Sequence, residues 1–481
     1  MVWATLIRVE PLGPTNPVKR RAERWDGEDT ARTGCKTGWM PKRLAVVALV
    51  ALTTGAAAPA QTPFVCPTDG TIAAPPAQLP HYAMSVRIAK GLREANGRLV
   101  VRFAPEHATD RLVFRLWANA PFHVRYGSRL TVENVTVGRA RPSVNRPNAT
   151  TLVVRAALAA GETAVVSMTW HLRLPTNPNA RLFGGQVARL GSFFPLLAWD
   201  PHAGWQTDPP SAIGWETWTS PTANYDVTVS APPGLDVLAT GERIGRARWR
   251  GRAVRDFALA VGRFEVVRGV AAAPGRVRIA VGVERPARLP ARRVLAWARA
   301  ALEAHARRFG RYPWTTFTAV AMDMDRYSFE YPTLAFLSTS DPPRETAAHE
   351  VAHQWFYSLV GNNQARAPWL DEALATWAQA RFTNTLSKVE AQPIAEPVRN
   401  QLGQPMTFWD RFDIGLFVDG VYVQGVQALG SLGEPAAVDC ALRRYAATNA
   451  YATASPADLL RALELQFPDA RRKLEAYGAR F

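Results

Sequence analysis

Cysteine is scarce in this chain of 481 residues: there are three, Cys35, Cys66 and Cys440. None sits at the short spacing that a cysteine-bound zinc needs, which excludes zinc fingers and ribbons. Long apolar runs are missing as well. The unbroken run from Leu44 to Leu52 falls far short of the roughly 20 residues that a membrane-spanning helix requires. There are no internal repeats, and past residue 80 no long low-complexity tract. Dense basic runs are also lacking in the body of the chain. The formal net charge is +17, yet its basic residues are nearly all arginine and are scattered. A polyanion-binding protein should show a clustered stripe, so the scatter reads as compositional bias and argues against nucleic acid as a partner.

What is present points to export and to two domains. A length of 481 residues exceeds what one core ordinarily serves, and 47% apolar residues can bury a sizeable interior. Residues 1–39 are polar, arginine-rich and aperiodic, and are read as an extension outside the fold. Residues 40–60 have the pattern of a signal peptide: Pro41-Lys42-Arg43, the apolar run, then Ala58-Pro59-Ala60 before Gln61. The expectation is a start at Met40, cleavage near Gln61, and an exported protein with no stable membrane span after processing; the alternative is that the segment stays uncleaved as an anchor. Cys35 would then be lost. Cys66 and Cys440 would remain in an oxidising compartment, either as a disulfide or as two buried thiols.

Residues 61–76 read as a linker, and the period of two begins soon after. Met84, Val86 and Ile88 alternate with Ser85, Arg87 and Ala89, and Asn96-Gly97 marks a hairpin-type turn. Further short strand-like runs follow, separated by Gly, Pro and Asn. This predicts an all-β, sandwich-like domain over 77–272. The period changes near Pro290, where "ARRVLAWARAALEAHARRFG" carries apolar residues at helical spacing and stops at Gly310. The remainder, 273–481, reads as mostly helical with a strand-like patch at 315–338. The fold class expected is α+β.

The chemistry is carried by "HEVAHQWFYSLVG", which starts at His349. Residues four apart share a helix face, so His349 and His353 can present imidazole nitrogens to one ion, with Glu350 offset towards a water on it. Asp341-Pro342 offers a cap and a first-turn proline, and Gly361 a stop. A catalytic zinc wants a third protein ligand and one open position. Glu372, in "PWLDEALATWA", can supply it if the short loop "NNQARA" folds the second helix back on the first, with Leu370, Ala373 and Trp377 packing the joint.

These paired segments, with eighteen residues between His353 and Glu372, resemble the zinc helices of the aminopeptidase N family of gluzincin peptidases. "FGRYPW" (309–314) and "SFEYPTLAFLS" (328–338) resemble segments that the family places before the zinc helix. "VLATGE" and "RDFALAVGRF" resemble parts of its N-terminal domain. The resemblance implies a thermolysin-like catalytic domain beside the β domain, one zinc ion held by His349, His353 and Glu372, and Glu350 as general base. It implies that Glu330 binds the free amino group of a peptide and that Tyr422, in "VYVQGVQAL", stabilises the tetrahedral intermediate. The implied activity is removal of the first residue from peptides with a free amino terminus.

The sequence departs from the family around Glu330, where Gly-Ala-Met-Glu-Asn is usual and Tyr327-Ser328-Phe329-Glu330-Tyr331 stands instead. Phe329 is expected to narrow or line the first side-chain pocket. Ala373 replaces the usual glycine after the third ligand. The chain also ends soon after the catalytic segment, which leads us to expect an open cleft. Two alternatives use the same residues. An endopeptidase would need the metal site but no ammonium anchor at Glu330. A silent binding protein on this fold would tend to lose a ligand or the base, and all are present.

Overall fold

The computed structural model describes Cys66 and residues 71–481, apart from 326, 341 and 342. The extension 1–39, the signal segment 40–60 and the expected helix cap at 341–342 lie outside the described residues, as does most of the linker.

The α+β expectation holds. The β half is built on a seven-stranded sheet whose spatial order is Glu242–Gly245, Arg248–Val254, Ala223–Ser230, His81–Ile88, Glu94–Phe103, Ala164–Arg173, Arg129–Val137. The period-two pattern fixes its faces. Tyr82, Met84, Val86 and Ile88 are buried while Ser85 and Arg87 are exposed, because successive strand residues point to opposite sides. The buried face packs on two four-stranded sheets, with Leu112, Phe114, Leu152 and Val154 of one and Leu190, Leu259 and Val261 of the other in the shared core. Tyr82 and Tyr225 stack there at 4.6 Å, on neighbouring parallel strands.

The boundary expected at 272/273 runs through a hairpin. Strand Phe264–Ala272 pairs antiparallel with Arg276–Glu284 and belongs to the second half. Its sheet has the order 264–272, 276–284, Thr316–Met322, Leu334–Ser338, Phe329–Tyr331. The helix Ala291–Phe309 is the crossover between the parallel strands 276–284 and 316–322. Val294, Ala298, Ala301, Leu302 and Phe309 form its buried stripe, at the spacing read from the sequence. The halves meet through a third apolar cluster, with Leu238, Ala258 and Ala260 from the β half against Val320, Met322 and Phe336. Arg255 is buried at this seam and donates to the carbonyls of Ser220, Ser358, Leu359 and Ala452. Its donors thus serve backbone carbonyls of several separate segments.

Beyond the sheet the chain is helical, and no described helix is long and apolar enough to cross a membrane. Cys66 and Cys440 form a disulfide, which settles the open alternative and ties the start of the described chain to the helix Pro435–Thr448. The link closes a loop spanning most of the protein. Cys440→Ser should lower unfolding stability by about 2–5 kcal/mol. Denaturant midpoints of the two proteins check this, and equal midpoints would show that the bond restrains nothing that matters.

Candidate active site

The first site helix, Pro343–Ala352, ends before the expected stop at Gly361. Residues 354–360 leave the regular pattern. Ser358, Leu359 and Val360 bond five residues back, to the carbonyls of His353, Gln354 and Trp355, and Tyr357 takes φ 119°. The last regular turn survives through His353 N–H donating to the His349 carbonyl at 3.3 Å. The i, i+4 geometry is therefore kept where the chemistry needs it.

The second helix, Trp369–Thr383, packs against the first, with Leu370, Ala373 and Trp377 buried at the joint as the spacing predicts. It brings Glu372 to the histidines. Its Oε2 lies 3.1 Å from His349 Nε2 and 3.5 Å from His353 Nε2, and the two Nε2 atoms are 3.1 Å apart. Four-coordinate zinc with ligands at about 2.0–2.1 Å has neighbouring ligand atoms roughly 3.3 Å apart. This triangle fits such an ion.

The donor chemistry fits as well. His349 Nδ1 faces Gln379 Oε1 at 3.1 Å, and His353 Nδ1 faces Asp371 Oδ1 at 2.7 Å and the Phe356 carbonyl at 3.1 Å. Both outer nitrogens are spent as donors to oxygen, which fixes the tautomer and leaves each Nε2 lone pair aimed at one point. Gln379 and Asp371 come from the same helix as Glu372, so one element supplies a ligand and orients the other two. Burial works against a charged Glu372, but its bonds to His349 and His353 win and hold the carboxyl well below the usual range. Burial raises Asp371 to about 6, with His353 pulling the other way. Asp371→Asn should weaken zinc affinity about 10–100-fold, the ordinary cost of losing such an outer partner. Competition against a zinc chelator measures it, and an unchanged affinity would remove Asp371 from the site.

Glu350 is 5% exposed and its Oε2 has no partner. Burial pushes its carboxyl well above the ordinary value, and the nearby His353 draws it back. Carboxylate oxygens of Glu350 and Glu330 and a ring nitrogen of His353 lie within 4.8 Å of one another. Glu330 is carried on the edge strand Phe329–Tyr331, opposite Ala335. Gln354, next to His353, pins that strand by donating to the Tyr331 carbonyl at 3.0 Å and accepting from Thr333 N–H at 2.7 Å.

Tyr422 sits in a π-helical turn, Val418–Val423, and its ring stacks on His349 at 5.8 Å and 11°. Burial and the adjoining Glu372 raise its hydroxyl well above 10 and keep it protonated. Gly425 permits this. A Cβ there would come within 2.2 Å of Ala373 Cβ, so only glycine lets the two helices approach so closely.

Phe329 precedes Glu330 on the same strand. It is 7% exposed and belongs to the apolar cluster at the seam between the halves. Its ring lies against the guanidinium groups of Arg181, at 4.7 Å, and Arg189, at 5.6 Å. Both Phe329 and Glu330 thus reach the same guanidinium, that of Arg181.

Sequence reasoning missed Arg181 and Glu216. Arg181 is buried, ion-pairs with Glu216 and lies 3.3 Å from Glu330 through Nη2. Burial opposes its charge, but Glu330 outweighs that and keeps the guanidinium firmly protonated. Glu330 Oε1 and two nitrogens of Arg181 are buried without partners. No local pattern marks a pair separated by 149 positions.

Residues 332–410 match the Peptidase family M1 domain. The chain is 35% identical over 89 residues to Aminopeptidase RNPEPL1 of Mus musculus and of Homo sapiens, a match spanning 17% of this chain and 12% of each relative's length. An M1 zinc metallopeptidase from Deinococcus radiodurans superimposes with TM-score 0.60 at 18% identity, over 83% of this chain and 94% of that one. A mutant from that organism with a bound Tyr-Ser-Ala substrate gives TM-score 0.61 at 18% identity, over 84% and 94%. A two-domain M1 zinc metallopeptidase mutant bound to L-arginine gives 0.62 at 17%, over 84% and 94%.

Proposed function

We propose that this zinc metallopeptidase of the M1 family is an aminopeptidase, acting on peptides with a free amino terminus and working with one zinc ion. The observation that carries the reading is Glu330: a buried carboxylate with an unpartnered oxygen, held at fixed distance from Glu350 and His353. Two carboxylates, Glu216 and Glu330, share one guanidinium, Arg181. One negative charge is left over, which suits a single ammonium group. An exopeptidase counts one residue from the end by such an anchor.

His349, His353 and Glu372 hold the metal in this reading. Zinc bound there polarises the scissile carbonyl and makes a water acidic enough to ionise near neutral pH. Glu350 takes the proton of the attacking water and delivers it to the leaving amine. Its burial favours the protonated state it must pass through. The Tyr422 hydroxyl donates to the oxygen on which charge develops. The reading includes export: the disulfide supports an oxidising compartment, as the signal-like segment 40–60 does.

The test uses one peptide in two forms, with a free and with an acetylated amino terminus, each with and without a zinc chelator. Release of the first residue from the free form alone, abolished by the chelator, is the expected result. Internal cleavage of both forms would replace the reading with an endopeptidase on the same metal site.

A further inference from the structure

The arginines that look scattered in sequence are gathered by the fold. The outer face of the seven-stranded sheet carries Arg87, Arg98, Arg102 and Arg248, all exposed and none with an ion pair among the described residues. The register explains the gathering. Arg98, Ser85, Thr228 and Arg248 form one transverse row over four adjacent strands. The two arginines of that row stand three strand spacings apart, roughly 14 Å, and Arg102 follows Arg98 along its strand by about 13 Å.

Between the arginines runs a trough of about 320 Å³, floored by Ala83, Ser85, Val100 and Thr228 and walled by Arg98 and Arg248. Asp226 also lines it, but its carboxylate is already held by His81 at 2.9 Å and Arg250 at 3.0 Å. Glu94, at the start of the strand that carries Arg98 and Arg102, lies 3.7 Å from His171, and Glu133 lies on the edge strand. The centre of the face is therefore cationic, with Ala83, Ser85, Val100 and Thr228 between its arginines.

We propose that this face binds an acidic polysaccharide, a hydroxyl-rich chain carrying carboxylate or sulfate groups. Charge complementarity supplies the attraction, and the separated arginines suit charges repeated along a chain rather than one small anion. The serine and threonine hydroxyls match the neutral hydroxyls between those charges. The paired outward positions carry no Phe, Tyr or Trp. The face thus lacks the stacking platform used for single-stranded nucleic acid and the apolar side chains used to enter a bilayer interface. It lies on the opposite side of the sheet from the buried core and does not depend on which peptides are cleaved.

The full-length, metal-loaded protein is tested against immobilised polygalacturonate and heparin, with duplex DNA and phosphatidylglycerol vesicles as alternatives. Binding to at least one polysaccharide is expected, weakening as salt rises. Arg98→Glu with Arg248→Glu should weaken it at least about tenfold, since each reversal turns an attraction into a repulsion. Arg292→Glu with Arg299→Glu, the same charge change on the exposed side of helix 291–309, should leave it unchanged. Peptide turnover should be unaffected in both. Equal loss in the two variants, tighter binding to DNA or vesicles than to either polysaccharide, or no binding at all would overturn the proposal. If the charge reversal does not fold, Arg98→Gln with Arg248→Gln asks the same question, and unchanged affinity there is equally decisive.

Discussion

Glu350→Gln should all but stop peptide hydrolysis while leaving the zinc in place. The carboxylate lies beside the metal triangle and outside it. The ligand atoms come from His349, His353 and Glu372, whereas Glu350 groups with Glu330 and His353. The amide keeps the shape and loses the ability to accept and return a proton. General acid–base catalysis contributes about 10²–10⁴-fold, so kcat should fall by that order with little change in KM. Metal content by mass spectrometry should match the unaltered protein. Loss of zinc would make Glu350 a structural residue. Retained turnover would assign the proton transfer elsewhere.

The elements that could be read in the sequence are those whose cause is local. His349, His353 and Glu372 announced themselves because helix geometry turns a spacing of four into a shared face, and a short loop turns two helices into a pair. The alternation in 81–88 and the stripe of 291–309 were equally direct. Failures arose where contacts between distant segments decide. Helix 343–352 stops early because residues 354–360 are reorganised around Gln354, which leaves the helix register to clamp the strand of Glu330. The expected boundary cut a hairpin because strand 264–272 resembles its neighbours in composition and differs only in partner. Asp371 carried a signal that could have been used: a carboxylate beside a ligand, on a helix facing a histidine. Arg181 and Glu216 carried none. The basic face was hidden because cations at every second residue of several strands look dispersed until the strands are laid side by side.

Glu330→Gln should separate one-residue counting from hydrolysis. The glutamine keeps the side-chain size on the pinned strand but removes the charge that faces a substrate ammonium. Leaving a buried charge unpaired costs about 2–5 kcal/mol, so kcat/KM for peptides with free amino termini should drop on the order of 10²–10³-fold. Acetylated peptides offer no ammonium, and their slow cleavage should be nearly unchanged. The ratio of the two rates is therefore the reading, because a merely misshapen site would lower both. Arg181 sharpens the expectation. In the unaltered protein its guanidinium is balanced by Glu216 and Glu330, and the pair holds one negative charge in surplus. In the variant the surplus disappears and the anchor becomes neutral. A free amino terminus then has to be desolvated against no compensating charge, which raises KM before it alters kcat. An equal fall for free and acetylated peptides would mean that Glu330 supports the architecture of the site rather than the recognition of an end. The endopeptidase reading would then gain ground on the same metal triangle.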